Sequence, residues 1–230
     1  MGSPLAQEIS PVPASQDTAA LRRVFEAMTP ERCPRVYNFH MHTVCSDGRL
    51  TPELLIQQAV SIGLQGLAIT DHHSVDGFRR AQAWLSGQQL PNAPHLWSGV
   101  EINAQLLHDE VHVLGYAIDP DHGEIAPYLQ GYGLRGDRGD ARHVIDAIHA
   151  AGGLAVLAHP ARYRHSPAEL IAAATELGID GVETYYAYNN PNPWCPSPRQ
   201  TREVFTLAEC YGLLHSCGTD THGLNLLQRL

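Results

Sequence analysis

Residues 36–48 read VYNFHMHTVCSDG: a short apolar run, two histidines two positions apart, then a serine-aspartate-glycine turn. In an extended segment residues i and i+2 point the same way, so His40 and His42 leave the end of a strand as a pair able to reach one metal ion. The design recurs along the chain. Residues 66–73 (GLAITDHH) run from apolar residues into Asp71, His72 and His73, and 96–102 (LWSGVEI) carries Glu101 near its end. Residues 111–117 (VHVLGYA) hold His112 near their start, 154–160 (LAVLAHP) stop at His159, and 181–185 (GVETY) contain Glu183. The last run, 213–222 (LLHSCGTDTH), leads into Asp220 and His222, a second i, i+2 pair.

Helical stretches are expected between these runs, at 52–62, 76–86, 139–151, 167–177 and 198–211. Thr51-Pro52-Glu53 opens the first, with threonine suited to the cap and proline to the first helical position. Short apolar runs alternating with helices are the signature of parallel strands joined by crossover helices. Seven strand candidates predict an α/β fold with a parallel barrel, in which the C-terminal strand ends meet on one face. The Pro-rich stretch 191–198 (PNPWCPSP) is expected to be a loop.

One domain accounts for the length. Residues 1–16, rich in Pro, Ser and Gln, are expected to be a mobile tail. Residues 17–34 are expected to hold an amphipathic helix packed on the barrel, capped by Asp17, with Leu21, Val24, Phe25 and Met28 at i, i+3, i+4 and i+7. The barrel domain then takes 35–230.

The formal charge of -9 gives no broad attraction to nucleic acid or to an anionic membrane, so a phosphate has to be recognised locally. Five scattered cysteines without a CxxC pair point to free thiols and a cytoplasmic, reducing setting. No apolar run reaches the roughly 18 residues of a membrane span, and no signal-peptide pattern is present. The anomaly is 14 histidines against 15 Lys and Arg combined. Those at strand ends, with their carboxylate neighbours, form a nitrogen and oxygen donor set suited to zinc, manganese or iron rather than to a thiolate site.

The ordered pattern HMHTVCSDG, AITDHH, GVEI, VHVLGY, AVLAHPARY and GTDTH, from about Tyr37 to His222, resembles the polymerase and histidinol phosphatase (PHP) family. Within it, the chain is most similar to the small free-standing phosphoesterases related to nucleoside 3',5'-bisphosphate phosphatases. The resemblance implies a distorted seven-stranded (β/α)7 TIM-like barrel holding two or three divalent metal ions (Mn, Zn or Fe). It implies that His40, His42, Glu101 and Asp220 hold one metal, that Asp47, His72 and His222 hold a second, and that Glu101, His112 and His159 hold a third. Glu101 would then bridge, and Asp71 would support His72. The catalytic residues, acting through the metals, would be Asp47, His72, Glu101, Asp220 and His222.

Two departures stand out. His73 occupies a position where many small members carry aspartate, and the roughly 36 residues between Ala117 and Leu154 are too few for the helical subdomain those members insert there. The implied activity is hydrolysis of a small phosphate ester, such as a nucleotide, a nucleoside bisphosphate or a short oligonucleotide, by a metal-activated hydroxide. Arg162 is the candidate phosphate clamp, and Arg199, His73 and Tyr186 are further substrate contacts. The tyrosine-rich run from Tyr185 to Trp194 is a candidate base or sugar platform. The alternatives are an amidohydrolase-like hydrolase of C–N or carboxylic ester bonds, whose usual bridging lysine is missing from this lysine-free chain, and a non-catalytic metal-binding domain. Oligomeric state is not legible.

Overall fold

The computed structural model of the protein describes residues 12–88 and 90–230. Among these residues eight strands form two sheets. The first is parallel and contains β1 (Tyr37–Asn38), β2 (Gly66–Ala68) and β3 (His95–Trp97) in sequence order. The second contains β4 (Gly99–Leu106), β5 (Asp109–Tyr116), β6 (Leu154–Leu157), β7 (Gly181–Tyr185) and β8 (Leu214–Cys217), also in order. Here β5 runs antiparallel to both neighbours, while β6, β7 and β8 are parallel. The α/β class is as expected, but the single seven-stranded parallel barrel is not what forms.

Two local causes account for the difference. The apolar run 96–102 is two strands in different sheets, broken at Ser98, whose amide donates to the Ser15 carbonyl and whose hydroxyl donates to the Ile118 carbonyl at 2.6 Å. Those bonds take the chain out of the first ladder. Beyond it, Gly99 passes so close to the second strand's extension that a Cβ there would lie 2.7 Å from the Ile69 carbonyl oxygen. The second cause is the turn between β4 and β5, where Leu107 and His108 both sit at positive φ, 52° and 68°. That is the pattern of a type I′ hairpin, here without the Asn-Gly pair that usually announces it.

The two sheets meet through isolated bridges, Met41 with Thr221 and His72 with Glu101, each formed by segments that run past the regular strands. Amide bonds add to both seams: His42 to the Thr221 carbonyl, Asp220 to the His40 carbonyl, and Glu101 to the Asp71 carbonyl. The candidate ligands therefore occupy the seams themselves.

Helices α1 (Thr18–Glu26), α2 (Pro52–Ile62), α3 (Asp76–Ser86), α4 (Ala141–Ala150), α5 (Pro167–Glu176) and α6 (Pro198–Tyr211) agree with the sequence periodicity. Thr51 caps α2, Ser166 and Glu169 form a capping box on α5, and Asp17 caps α1. Alternation along β6 separates two of the three apolar clusters among the described residues. Ala155 and Leu157 of β6 pack in the cluster that holds Val144 of α4 and Val204 of α6, while Leu154, Val156 and Ala158 join Phe39, Leu114 and Tyr116 inside. Leu21 and Phe25 of α1 close this interior, with the Phe25 ring edge-on to Phe39 at 5.0 Å. Of the segment 1–16, residues 1–11 lie outside the described residues; Ala14–Gln16 form a 3-10 turn against β3.

Asp180, just before β7, ties α1 and α4 to the sheet: it accepts from Arg22 at 3.0 Å, from His149 at 2.8 Å and from the Ala155 amide at 2.9 Å. The hydrogen bond to Asp180 pushes His149 above the ordinary histidine value, against the effect of burial. A folded-state value that is raised contributes stability in full below the unfolded value of about 6.5, and that stability is lost as pH rises through the folded value. His149→Gln should therefore lower the thermal midpoint more at pH 6 than at pH 9; a gap that stays constant across that range would count against the pairing.

Candidate metal centre

Glu101 stands at the middle of the cluster, almost completely buried, with its two oxygens turned to different partners. Its Oε2 lies 3.0 Å from His40 Nε2, 3.0 Å from His42 Nε2 and 3.6 Å from His72 Nε2. Its Oε1 lies 2.7 Å from His112 Nδ1 and 3.4 Å from His159 Nε2. β4 carries Glu101 inward while its neighbours Val100 and Ile102 face the outer core, and the hairpin brings His112 back beside it. The antiparallel strand that departs from the expected barrel is thus what delivers a fifth imidazole to one carboxylate.

Asp220 serves the same space with Oδ1, which is 3.3 Å from His40 and 3.2 Å from His42. At the mouth, Asp47 Oδ2 lies 3.2 Å from His222 Nε2 and 3.9 Å from His72 Nε2, and Asp47 Oδ1 is 3.6 Å from His42 Nδ1. Among the described residues four groups of donors are close enough to share an ion: His40, His42, Glu101 and Asp220; His42, Asp47, His72 and His222; His72, Glu101 and His112; and His40, His159 and Glu183. All nine sequence-predicted metal ligands fall in this cluster. The grouping of the last set differs from the expected one, because His159 falls with Glu183 and His40 as well as near Glu101.

The donor set passes a test of fit. Both ring nitrogens of His42, Nδ1 of His72 and Nε2 of His159 are buried with no hydrogen-bond partner among the described residues, although carboxylates stand close to all three rings. Buried polar atoms are nearly always satisfied, so nitrogens held near carboxylates without hydrogen-bond alignment fit lone pairs meant for a cation. Burial drives His72 down to about 4 and His159 to about 3, which leaves both neutral, as a ligand must be. Burial works the same way on His40, yet Glu101, Glu183 and Asp220 outweigh it and raise His40 well above its ordinary value.

Supporting contacts fix these rings. Glu183 accepts from His40 Nδ1 at 2.9 Å and from the His159 amide at 2.9 Å, so it orients one imidazole and the loop of another. Tyr163 hydroxyl lies 3.1 Å from His159 Nδ1 and accepts the His112 amide. Asp71 does not support His72 as expected: it accepts from the Thr43 amide and hydroxyl, both at 2.7 Å, and from Ser46 at 2.7 Å, holding the loop that presents Asp47. His159 and Asp220 both sit at positive φ, 28° and 52°, at the ends of β6 and β8. Gly218 has to be glycine, since a Cβ would come within 2.5 Å of the His40 amide nitrogen.

The predicted substrate contacts divide. Arg162 Nη1 lies 3.1 Å from Asp220 Oδ2, and Tyr186 donates to the same oxygen at 2.7 Å, so both border the cluster. His73 turns away: it is buried, with Nδ1 at 3.3 Å from the Tyr128 carbonyl and Nε2 receiving the Asn103 amide at 3.2 Å. Arg199 is exposed on α6 and makes no contact with the cluster among the described residues. Tyr185 and Trp194 are core residues, and Tyr188 accepts the Ala161 amide, so Tyr186 alone of that aromatic run reaches the ligands. Arg229 was not anticipated: its Nε lies 2.8 Å from Asp220 Oδ2, and nothing in the local sequence marks it.

Residues 38–132 match the PHP domain. The chain is 28% identical to the 5'-3' exoribonuclease Rnm of Salmonella typhimurium, over 81% of this chain and 85% of that protein. The alignment spans 258 positions, more than the whole chain, so that relative carries segments absent here. A 3',5'-nucleoside bisphosphate phosphatase of Chromobacterium violaceum is 31% identical over 50% of this chain and 39% of its own length. A solved structure from Bifidobacterium adolescentis, assigned as a metal-dependent phosphoesterase, superposes with a TM-score of 0.66 at 25% identity, covering 81% of this chain and 87% of that one. The resemblance to PHP proteins drawn from the motifs is borne out, as is the class of metal-dependent hydrolase acting on phosphoric ester bonds.

Because carboxylates hold a proton on His40, an incoming cation must displace it, so metal uptake should release protons and weaken as pH falls. Calorimetric titration with Mn or Zn in buffers of different ionisation enthalpy measures that release. Uptake without protons, or uptake undiminished in Glu101→Gln, would contradict the arrangement.

Proposed function

We propose that the protein hydrolyses a small phosphate ester of the nucleotide kind, a nucleotide, a nucleoside bisphosphate or a short oligonucleotide. The carrying observation is Glu101, which sets one oxygen against His40, His42 and His72 and the other against His112 and His159. In this reading His40, His42, Glu101 and Asp220 hold one divalent ion, Asp47, His72 and His222 a second, and Glu101, His112 and His159 a third. Bound cations of this kind activate a water, neutralise phosphate oxygens and steady the departing oxygen.

The chain's own residues do the rest. Glu183 keeps the His40 ring turned to the centre, and Asp71 holds the loop that sets Asp47 at the mouth. Arg162, bound to Asp220 through one nitrogen, presents its remaining donors for a phosphate oxygen. Both named relatives act on phosphate esters of nucleotides or RNA by their names, which supports this substrate class. The amidohydrolase-like alternative is disfavoured because the residue central to the imidazole cluster is a buried carboxylate, Glu101, and the chain has no lysine. Unpaired cysteines support a cytoplasmic setting, and no helix among the described residues is long and apolar enough to cross a membrane.

A panel of phosphomonoesters, 3',5'-bisphosphonucleotides, cyclic nucleotides and short oligonucleotides, assayed with Mn, Zn and Fe, tests the proposal. Turnover of at least one class is expected, with kcat/KM falling by about two orders of magnitude in Asp220→Asn and His40→Ala, at least as much as loss of an outer partner costs. Failure on every phosphate substrate by metal-loaded protein would sink the phosphoesterase reading, and intact turnover in both variants would remove the metals from it.

A further inference from the structure

Asp220 divides its two oxygens as Glu101 does, but the second one meets cations of the protein. Oδ2 accepts from Tyr186 at 2.7 Å, from Arg229 Nε at 2.8 Å and from Arg162 Nη1 at 3.1 Å. Two guanidinium groups thus converge on one carboxylate oxygen, while the other oxygen is already committed to His40 and His42. The arginine charges cannot both be balanced by that carboxylate. Arg229 is the more enclosed of the two, its side chain 21% exposed against 39% for Arg162, and Asp220 is its only salt-bridge partner among the described residues. A half-buried guanidinium that shares one carboxylate oxygen with a second arginine keeps positive charge and free donors for an anion.

The segment that brings Arg229 in is firmly built. Leu226 is fully buried, and its carbonyl accepts from Asn38 at 3.0 Å and from Thr219 at 2.9 Å. Thr221 hydroxyl donates to the carbonyls of Asn225 and Gln228, and the His222 amide donates to the Arg229 carbonyl at 2.7 Å. Arg229 is therefore held by the backbone of a candidate ligand. Its Nε faces Asp220, and its Nη1 and Nη2 make no hydrogen bond among the described residues.

We propose that Arg229 binds the substrate, pairing with Arg162 as the second guanidinium of a cradle for the phosphate oxygens that the metals leave free. Nε stays on Asp220 and the two terminal nitrogens meet the phosphate in the two-pronged geometry that suits guanidinium. Asp220 thereby links the two halves of the site, one oxygen toward the cations and the other fixing both arginines. This rests on the phosphoesterase reading above.

The test compares Arg229→Met, Arg229→Gln and Arg229→Lys, each loaded with Mn, using inorganic phosphate as the probe in calorimetric titration and as a competitive inhibitor. Metal stoichiometry should be unchanged in all three. Phosphate affinity should fall about tenfold or more in Met and Gln, the worth of a hydrogen bond to a charged group, and fall less in Lys, which keeps the charge. With whichever ester the protein turns over, KM should rise by a similar factor and kcat should change less. Phosphate affinity within twofold of the parent in the Gln variant would overturn the assignment, as would equal losses in Lys and Gln if the Met variant does not fold. A loss of bound metal with unaltered phosphate affinity per loaded site would assign Arg229 to holding Asp220 instead. Because phosphate binding is read without turnover, these results stand apart from a failure of the ester panel.

Discussion

A buried carboxylate whose two oxygens face five imidazoles is the constraint around which this molecule is arranged. Glu101 is an ionised group in a closed interior, and burying such a charge is costly unless it is paired. His40, His112 and the rings near them hold it well below the usual carboxylate range even though burial opposes that. The five histidines come from four different segments, so satisfying this one charge fixes the relative positions of the ends of both sheets. The seams between the sheets, the reversed strand β5 and the positive φ values of His159 and Asp220 are the geometric means by which those donors arrive.

Much of this was legible in the sequence because period-2 alternation and strand-end polarity leave a local mark. HMH, TDHH and DTH each announce themselves as apolar runs that end in donors, and all nine expected ligands gather in one cluster. Helix bounds were equally readable, since Thr51-Pro52, Asp17 and Ser166 are caps whose chemistry acts within one turn. The sheet topology was not. Whether β5 runs parallel or antiparallel depends on a two-residue turn made by Leu107 and His108, residues that seldom take positive φ and give no warning of it.

The misses share a cause: they are contacts between segments remote in sequence. Asp71 follows the ordinary TDH pattern, yet its oxygens belong to Thr43 and Ser46, 28 and 25 residues away. His73 looks like a ligand beside a ligand, but the backbone turns there at φ 50° and sends the ring to Asn103 and Tyr128. Arg229 lies in a segment with no regular element, and bonds made by residues remote in sequence, Asn38 donating to the Leu226 carbonyl and Gln58 accepting from the Leu226 amide, show that the segment is a wall of the centre. Spacing rules reach within one strand or helix, and none of these contacts does.

The side-chain bond from Asn38 to Thr219 spans 181 residues, and it lies two positions from His40 at one end and next to Asp220 at the other. The residues that open the cluster and those that complete it are thus separated by most of the polypeptide. During synthesis His40, His42, His72 and Glu101 leave the ribosome long before Asp220 and His222 exist, so the emerging chain passes through a stage with an unmatched set of donors. Closing so large a loop is slow relative to local helix formation. A partial site of imidazoles and one carboxylate offers fewer donors than the full set, so the complete arrangement exists only once the segment carrying Asp220 and His222 has folded back onto the residues that open the cluster.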